Sequence, residues 1–138
     1  MKRTGGCQCG AVRFECDRDA ADIYVCHCTN CRKQSASAYG ISFVVRADSF
    51  RITSGTPEFF RWTSDAGNPR KGGFCGRCGT RLWHQRDLDG IETLNVRGGA
   101  LDDPIDLSNA IHIWLRSKLP GVSVPAGARQ FPREPDVG

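Results

Sequence analysis

A single, mainly β domain is what this chain of 138 residues predicts. Three observations carry that expectation. Apolar residues recur with a period of two in many short segments, glycine-rich turns separate those segments, and no stretch sustains a helical period. The length suits one hydrophobic core.

Val12, Phe14 and Cys16 alternate with Arg13 and Glu15, which gives a first strand with one apolar face. Ile23-Tyr24-Val25 is a second and leads into a run of cysteines. Ile41, Phe43 and Val45 alternate through a third, and residues 50–53 make a fourth. Ser54-Gly55-Thr56-Pro57 then turns the chain into a fifth at 58–62. Residues 80–85, 91–97 and 109–115 complete the set, and 64–70, 86–90 and 98–104 read as turns. The sequence between Cys28 and Ala38 leaves room for one short helix, favoured by Arg32, Lys33 and Gln34. After Ser117 the composition changes, and Pro120, Pro125, Pro132 and Pro135 fall close together. Residues 1–120 are therefore expected to form the domain, with 121–138 an extended or partly disordered C-terminal tail packed on it.

The chain carries 19 Lys and Arg against 15 Asp and Glu, a net charge of +4. This mild excess favours small anions slightly. The basic residues are scattered and aromatic residues are 9%, so no nucleic-acid partner is expected. No apolar run reaches membrane-spanning length, and Met1-Lys2-Arg3-Thr4 passes directly to Gly5-Gly6 rather than into a signal sequence. The expectation is a cytoplasmic protein with reduced thiols, which disfavours pairing its eight cysteines as disulfides.

Seven of the eight cysteines fall in three clusters. Cys7-Gln8-Cys9 is flanked by glycines that let the backbone bend around a metal. Phe74-Cys75-Gly76-Arg77-Cys78-Gly79 is a zinc knuckle, whose C-x-x-C turn aims two sulfurs at one point. A redox C-x-x-C usually opens a helix, whereas Thr80, Leu82 and Trp83 continue as strand. The two pairs together make a closed Cys₄ set, the chemistry of a structural zinc.

Cys26-His27-Cys28-Thr29-Asn30-Cys31-Arg32-Lys33 offers three further thiolates. Three protein ligands leave a fourth position for water or substrate, as in catalytic zinc sites. A fourth protein ligand from Cys16, His27, His84 or His112 would instead close it into a second structural site. Cys16 shares an apolar face with Val12 and Phe14 and reads as a core thiol. The net negative charge of a three-thiolate zinc would be offset by Arg32 and Lys33. With Arg46, these are also the candidate contacts for substrate carboxylates. His27 and Tyr39 are candidate proton donors.

The ordered set Gly5-x-Cys7-x-Cys9-Gly10-x-Val12-x-Phe14, Cys26-His27-Cys28-x-x-Cys31-Arg32-Lys33 and Phe74-Cys75-x-x-Cys78-Gly79-Thr80-x-Leu82 resembles the glutathione-dependent formaldehyde-activating enzyme family, which includes the centromere protein V domain. Ile111-His112-Ile113-Trp114, Ser117-Lys118-Leu119-Pro120 and Gln130-Phe131-Pro132 extend the likeness over nearly the whole chain. The resemblance implies a β-tent fold of antiparallel sheets around two zinc ions. It implies structural zinc on Cys7, Cys9, Cys75 and Cys78, and catalytic zinc on Cys26, Cys28 and Cys31. The implied activity is carbon–sulfur lyase chemistry on an S-hydroxymethylglutathione-like adduct, with glutathione or a similar thiol and an aldehyde as small-molecule partners. The competing reading is a non-catalytic zinc module that binds a small thiol or a partner protein. The family pattern is departed from at Gly121, where a bulky aromatic is expected after Pro120.

Overall fold

The computed structural model describes residues 1–135. The strands are β1 (Lys2–Gly6), β2 (Arg13–Asp17), β3 (Ile23–Cys26), β4 (Gly40–Arg46), β5 (Arg51–Ser54), β6 (Glu58–Thr63), β7 (Pro69–Phe74), β8 (Arg81–Arg86), β9 (Thr93–Arg97) and β10 (Ile111–Ile113), with one α-helix, α1 (Thr29–Ser35), and three short 3₁₀ turns. They build a three-stranded sheet, β1-β2-β5, and a seven-stranded sheet, β10-β3-β4-β9-β8-β7-β6. The mainly β expectation holds, and the pairings are antiparallel except that β10 runs parallel to β3. That exception follows from a long connection after β9, which brings the chain back to the far edge of the larger sheet.

Two strands had no alternating apolar signal. β1 reads Lys-Arg-Thr-Gly-Gly and owes its extension to backbone pairing with β2, with Gly5 opposite Phe14. β7 begins inside the segment expected to be a turn and pairs with both β6 and β8. Its glycines are a packing requirement: a Cβ on Gly73 would lie 2.2 Å from the Trp83 ring. The indole therefore covers bare backbone, and any side chain at that position displaces it.

Phe14 and Phe43 meet Leu82, Trp83 and Val96 in the main core between the sheets. Phe50 packs against Phe14 and Trp83, with ring centroids 5.2 and 4.8 Å away. Cys16 lies wholly inside this core, and burial pushes its thiol pKa up to about 11. A second, smaller core gathers Cys26, Cys28 and Cys31 with Ile111, Ile113 and Trp114.

The chain beyond Lys118 returns to this second core. Residues 129–133 run alongside β10: His112 N–H donates to the Arg129 carbonyl at 2.9 Å, Phe131 N–H to His112 at 2.9 Å, and Trp114 N–H to Arg133 at 3.0 Å. Residues 136–138 of the expected tail lie outside the described residues. No helix among the described residues is long and apolar enough to cross a membrane.

Truncating Leu82, whose side chain is fully buried, is expected to cost about 2–5 kcal/mol. Arg46→Ala, at an exposed ion pair with Asp17, is expected to leave stability nearly unchanged. Urea unfolding of the zinc-loaded protein measures both.

Candidate metal centres and the adjoining cavity

The Cys7, Cys9, Cys75 and Cys78 sulfurs all lie within 4.8 Å of one another. Cys7 and Cys9 are 3.6 Å apart and Cys9 and Cys75 3.8 Å. Tetrahedral zinc–thiolate bonds place sulfurs about 3.7 Å apart, whereas a disulfide needs about 2.05 Å. Cys7 and Cys9 follow β1, while Cys75 and Cys78 occupy the turn between β7 and β8. Gly79 closes that turn at φ +84°, in the left-handed region, and donates to the Cys75 carbonyl at 2.8 Å. Val12 N–H donates to Cys7 Sγ at 3.2 Å and Arg77 N–H to Cys75 Sγ at 3.4 Å. These amides stabilise thiolate charge and fix the sulfurs, as in metal knuckles. Gln8 N–H donates to Thr80 Oγ1 at 3.1 Å, and that hydroxyl lies 3.3 Å from Cys78 Sγ, so one bond chain links the two pairs.

Cys26, Cys28 and Cys31 form the second group, again with sulfurs within 4.8 Å of one another. Cys26 ends β3, opposite Gly40 of β4 on one side and Ile113 of β10 on the other. Cys28 is the N-cap of α1, its sulfur accepting from Cys31 N–H at 3.2 Å. Asp65 ties the start of the helix by accepting from Thr29 N–H at 3.2 Å and from its hydroxyl. The donor set is soft and anionic, the kind that selects zinc among the common divalent ions.

No other His, Cys, Asp or Glu among the described residues brings a ligand atom into this group. Cys16 sits in the other core. His27 Nε2 and His112 Nδ1 pair with each other at 3.1 Å, and burial with the neighbouring His112 brings the pKa of His27 down to about 4. His84 Nε2 is 3.2 Å from Ser42 Oγ, and burial holds its pKa well below the usual range.

The three cysteines line a cavity of about 190 Å³ with Trp62, Arg70, His84, Arg97, Trp114 and Glu134. Arg97 is 9% exposed, and its Nη1 has no hydrogen-bond partner. A Cβ on Gly40 would lie 2.8 Å from that Nη1 and 3.6 Å from Cys31 Sγ. Glycine there is what allows a guanidinium beside the thiol, where it favours the thiolate. Burial depresses the pKa of Arg70, the other cation of the lining.

Arg32, Lys33 and Arg46 lie elsewhere. Arg32 and Lys33 are on α1 but not in the cavity wall. Arg46 pairs with Asp17 at 3.0 Å and Asp48 at 3.7 Å. Neither His27 nor Tyr39 lines the cavity. The cations that do face it, Arg70 and Arg97, were not among the sequence candidates. Arg70 falls in a stretch read as a turn. Arg97 ends β9, in a stretch expected only to be a strand.

A family model described as glutathione-dependent formaldehyde-activating enzyme matches residues 2–117. A crystal structure of a Rhodobacter sphaeroides protein is similar at 27% identity and a TM-score of 0.59, over 79% of this chain and 98% of that one.

Elemental analysis is expected to find two zinc ions per wild-type chain and one in Cys28→Ser. Cys75→Ser is expected to lose the other ion together with cooperative thermal unfolding. Because ligand thiols must be deprotonated to bind, both ions are expected to leave as pH falls, and a zinc dye measures their release.

Proposed function

We propose that this chain, which belongs to the glutathione-dependent formaldehyde-activating enzyme family, forms or cleaves the carbon–sulfur bond between a thiol such as glutathione and a small aldehyde. The observation that carries this reading is the three-cysteine group on the wall of a cavity, with no fourth ligand-bearing side chain among the described residues. Zinc held by Cys26, Cys28 and Cys31 would supply Lewis acidity, lowering the pKa of a thiol in the fourth position below its usual value of about 8.5.

The protein's own residues supply the rest. Arg97 offsets the negative charge of the thiolate cluster, and Arg70 offers a cation to a substrate carboxylate. Trp62 and Trp114 wall the cavity and reduce its water. In the addition direction the thiolate sulfur bonds to the aldehyde carbon, the carbonyl π pair moves to oxygen, and the thiol's proton ends on that oxygen. His84 and Glu134 are lining groups able to relay it: His84 Nδ1 has no hydrogen-bond partner and Glu134 accepts a single bond from Trp114, whereas Asp65 accepts on both oxygens from Thr29 and Asn30. His84 is neutral near pH 7, so it acts as a hydrogen-bonding relay rather than a stored acid.

With glutathione and formaldehyde, the zinc-loaded protein is expected to equilibrate the hydroxymethyl adduct faster than the uncatalysed reaction, followed by exchange NMR. Arg70→Met is expected to raise KM for carboxylate-bearing thiols about tenfold or more. Two bound zinc ions and saturable thiol binding, without any rate above background across a thiol panel, would establish the binding-module reading instead.

A further inference from the structure

A second, wider cavity of about 740 Å³ lies on the other side of Arg97. It is bounded by the C-terminal end of α1, the turn carrying Cys78 and Gly79, and residues 98–100. Its polar wall includes Gln8, Gln34, Tyr39, Thr80, Arg81 and Arg97, and no Asp or Glu lines it. Arg97 takes part in both cavities, whereas Arg81 belongs only to this one and Arg70 only to the other.

The two arginines lining this space differ from the ion-paired arginines of the molecule. Arg13, Arg46, Arg51 and Arg61 each have a carboxylate partner. Arg81 and Arg97 have none among the described residues, and both keep a buried Nη1 without a hydrogen-bond partner. Arg97 spends one donor on Gln34 Oε1, an uncharged acceptor. Arg81 is braced by the Phe60 and Phe74 rings, 5.3 and 5.2 Å from its guanidinium carbon. Burial lowers its pKa, and the charge of Arg97 lowers it further. Two partly desolvated guanidinia with unpaired donors and no carboxylate partner are costly to keep together. The three-thiolate group lies beside Arg97 and the four-thiolate set brings Cys78 to this wall, but neither accepts a hydrogen bond from the unpaired Arg81 and Arg97 Nη1 atoms.

We propose that this second cavity is a binding site for a small oxyanion, a carboxylate or a phosphate, held by Arg81 and Arg97. A planar fork of N–H donors matches the paired oxygens of either group. The site shares Arg97 and Gln34 with the thiol–aldehyde cavity but does not depend on the reaction assigned to it.

Titration calorimetry of the zinc-loaded full chain at constant ionic strength tests this, using inorganic phosphate in one arm and acetate in the other. Saturable binding of at least one anion is expected. Arg81→Met is expected to weaken it about tenfold or more, while Arg70→Met leaves it within about twofold of wild type. Because Arg81 also braces two aromatic rings, Arg81→Lys is measured alongside; it keeps stem and charge but loses the fork, and an affinity loss of about threefold or more is expected. Amide resonances of Gly98 and Gly99 should shift with the same affinity. No saturation by either anion up to about 50 mM overturns the proposal. So does binding that Arg70→Met abolishes and both Arg81 variants leave unchanged, which would place the anion in the three-cysteine cavity.

Discussion

The constraint on which the structure depends is the convergence of four thiols from two distant chain segments. Cys9 and Cys75 are 66 positions apart, yet their sulfurs lie 3.8 Å from each other. One pair follows the edge of the three-stranded sheet, and the other sits at a turn of the seven-stranded sheet. Their meeting therefore fixes how the sheets face one another, and the core of Phe14, Phe43, Leu82 and Trp83 fills the space between. Treated as a cross-link, a closure of that length removes about 4 kcal/mol of chain entropy from the unfolded state. A domain of this size, rich in glycine and short strands, gains much from such a tie.

The second thiol group is built on a different logic. Its three sulfurs come from one short stretch, so they restrain little of the chain and lock no sheets together. The surrounding elements are arranged for access: β3 ends at Cys26, α1 begins at Cys28, and a cavity opens beside both. Arg97 lies against this group through the gap that Gly40 leaves in β4. The two thiol clusters thus differ in setting: one joins distant segments of the chain, and the other faces space that a ligand can enter.

Much of this was legible in the sequence because metal-ligand spacing is local chemistry. Cys26, Cys28 and Cys31 announce a ligand group without any knowledge of the fold, and a C-x-x-C turn calls for a partner pair. Strands with alternating faces, such as the one holding Phe43 and Val45, were readable for the same reason. β1 and β7 were not, since polar and glycine residues there are extended by their neighbours rather than by their own pattern. The cavity cations were hidden for a related reason. Arg70 and Arg97 face the site because of how β7 and β9 are laid in the sheet, and no local motif marks either one. Arg32 and Lys33, adjacent to the ligands in sequence, are not in the wall, because successive helix residues are turned by about 100°, so the first and second positions after Cys31 leave its face.

The segment at 129–135 has a consequence for traffic through the molecule. It contributes Glu134 and Pro135 to the cavity rim, and Trp114 Nε1–H donates to Glu134 Oε1 at 3.3 Å. It is held to β10 by a few backbone bonds at the outer edge of the larger sheet. Edge bonds of this kind exchange earlier than those of central strands. None of the bonds that hold this segment to β10 lies within α1 or between β3 and β4. The width of the cavity mouth is thereby set by a different part of the chain from the one that fixes the three sulfurs.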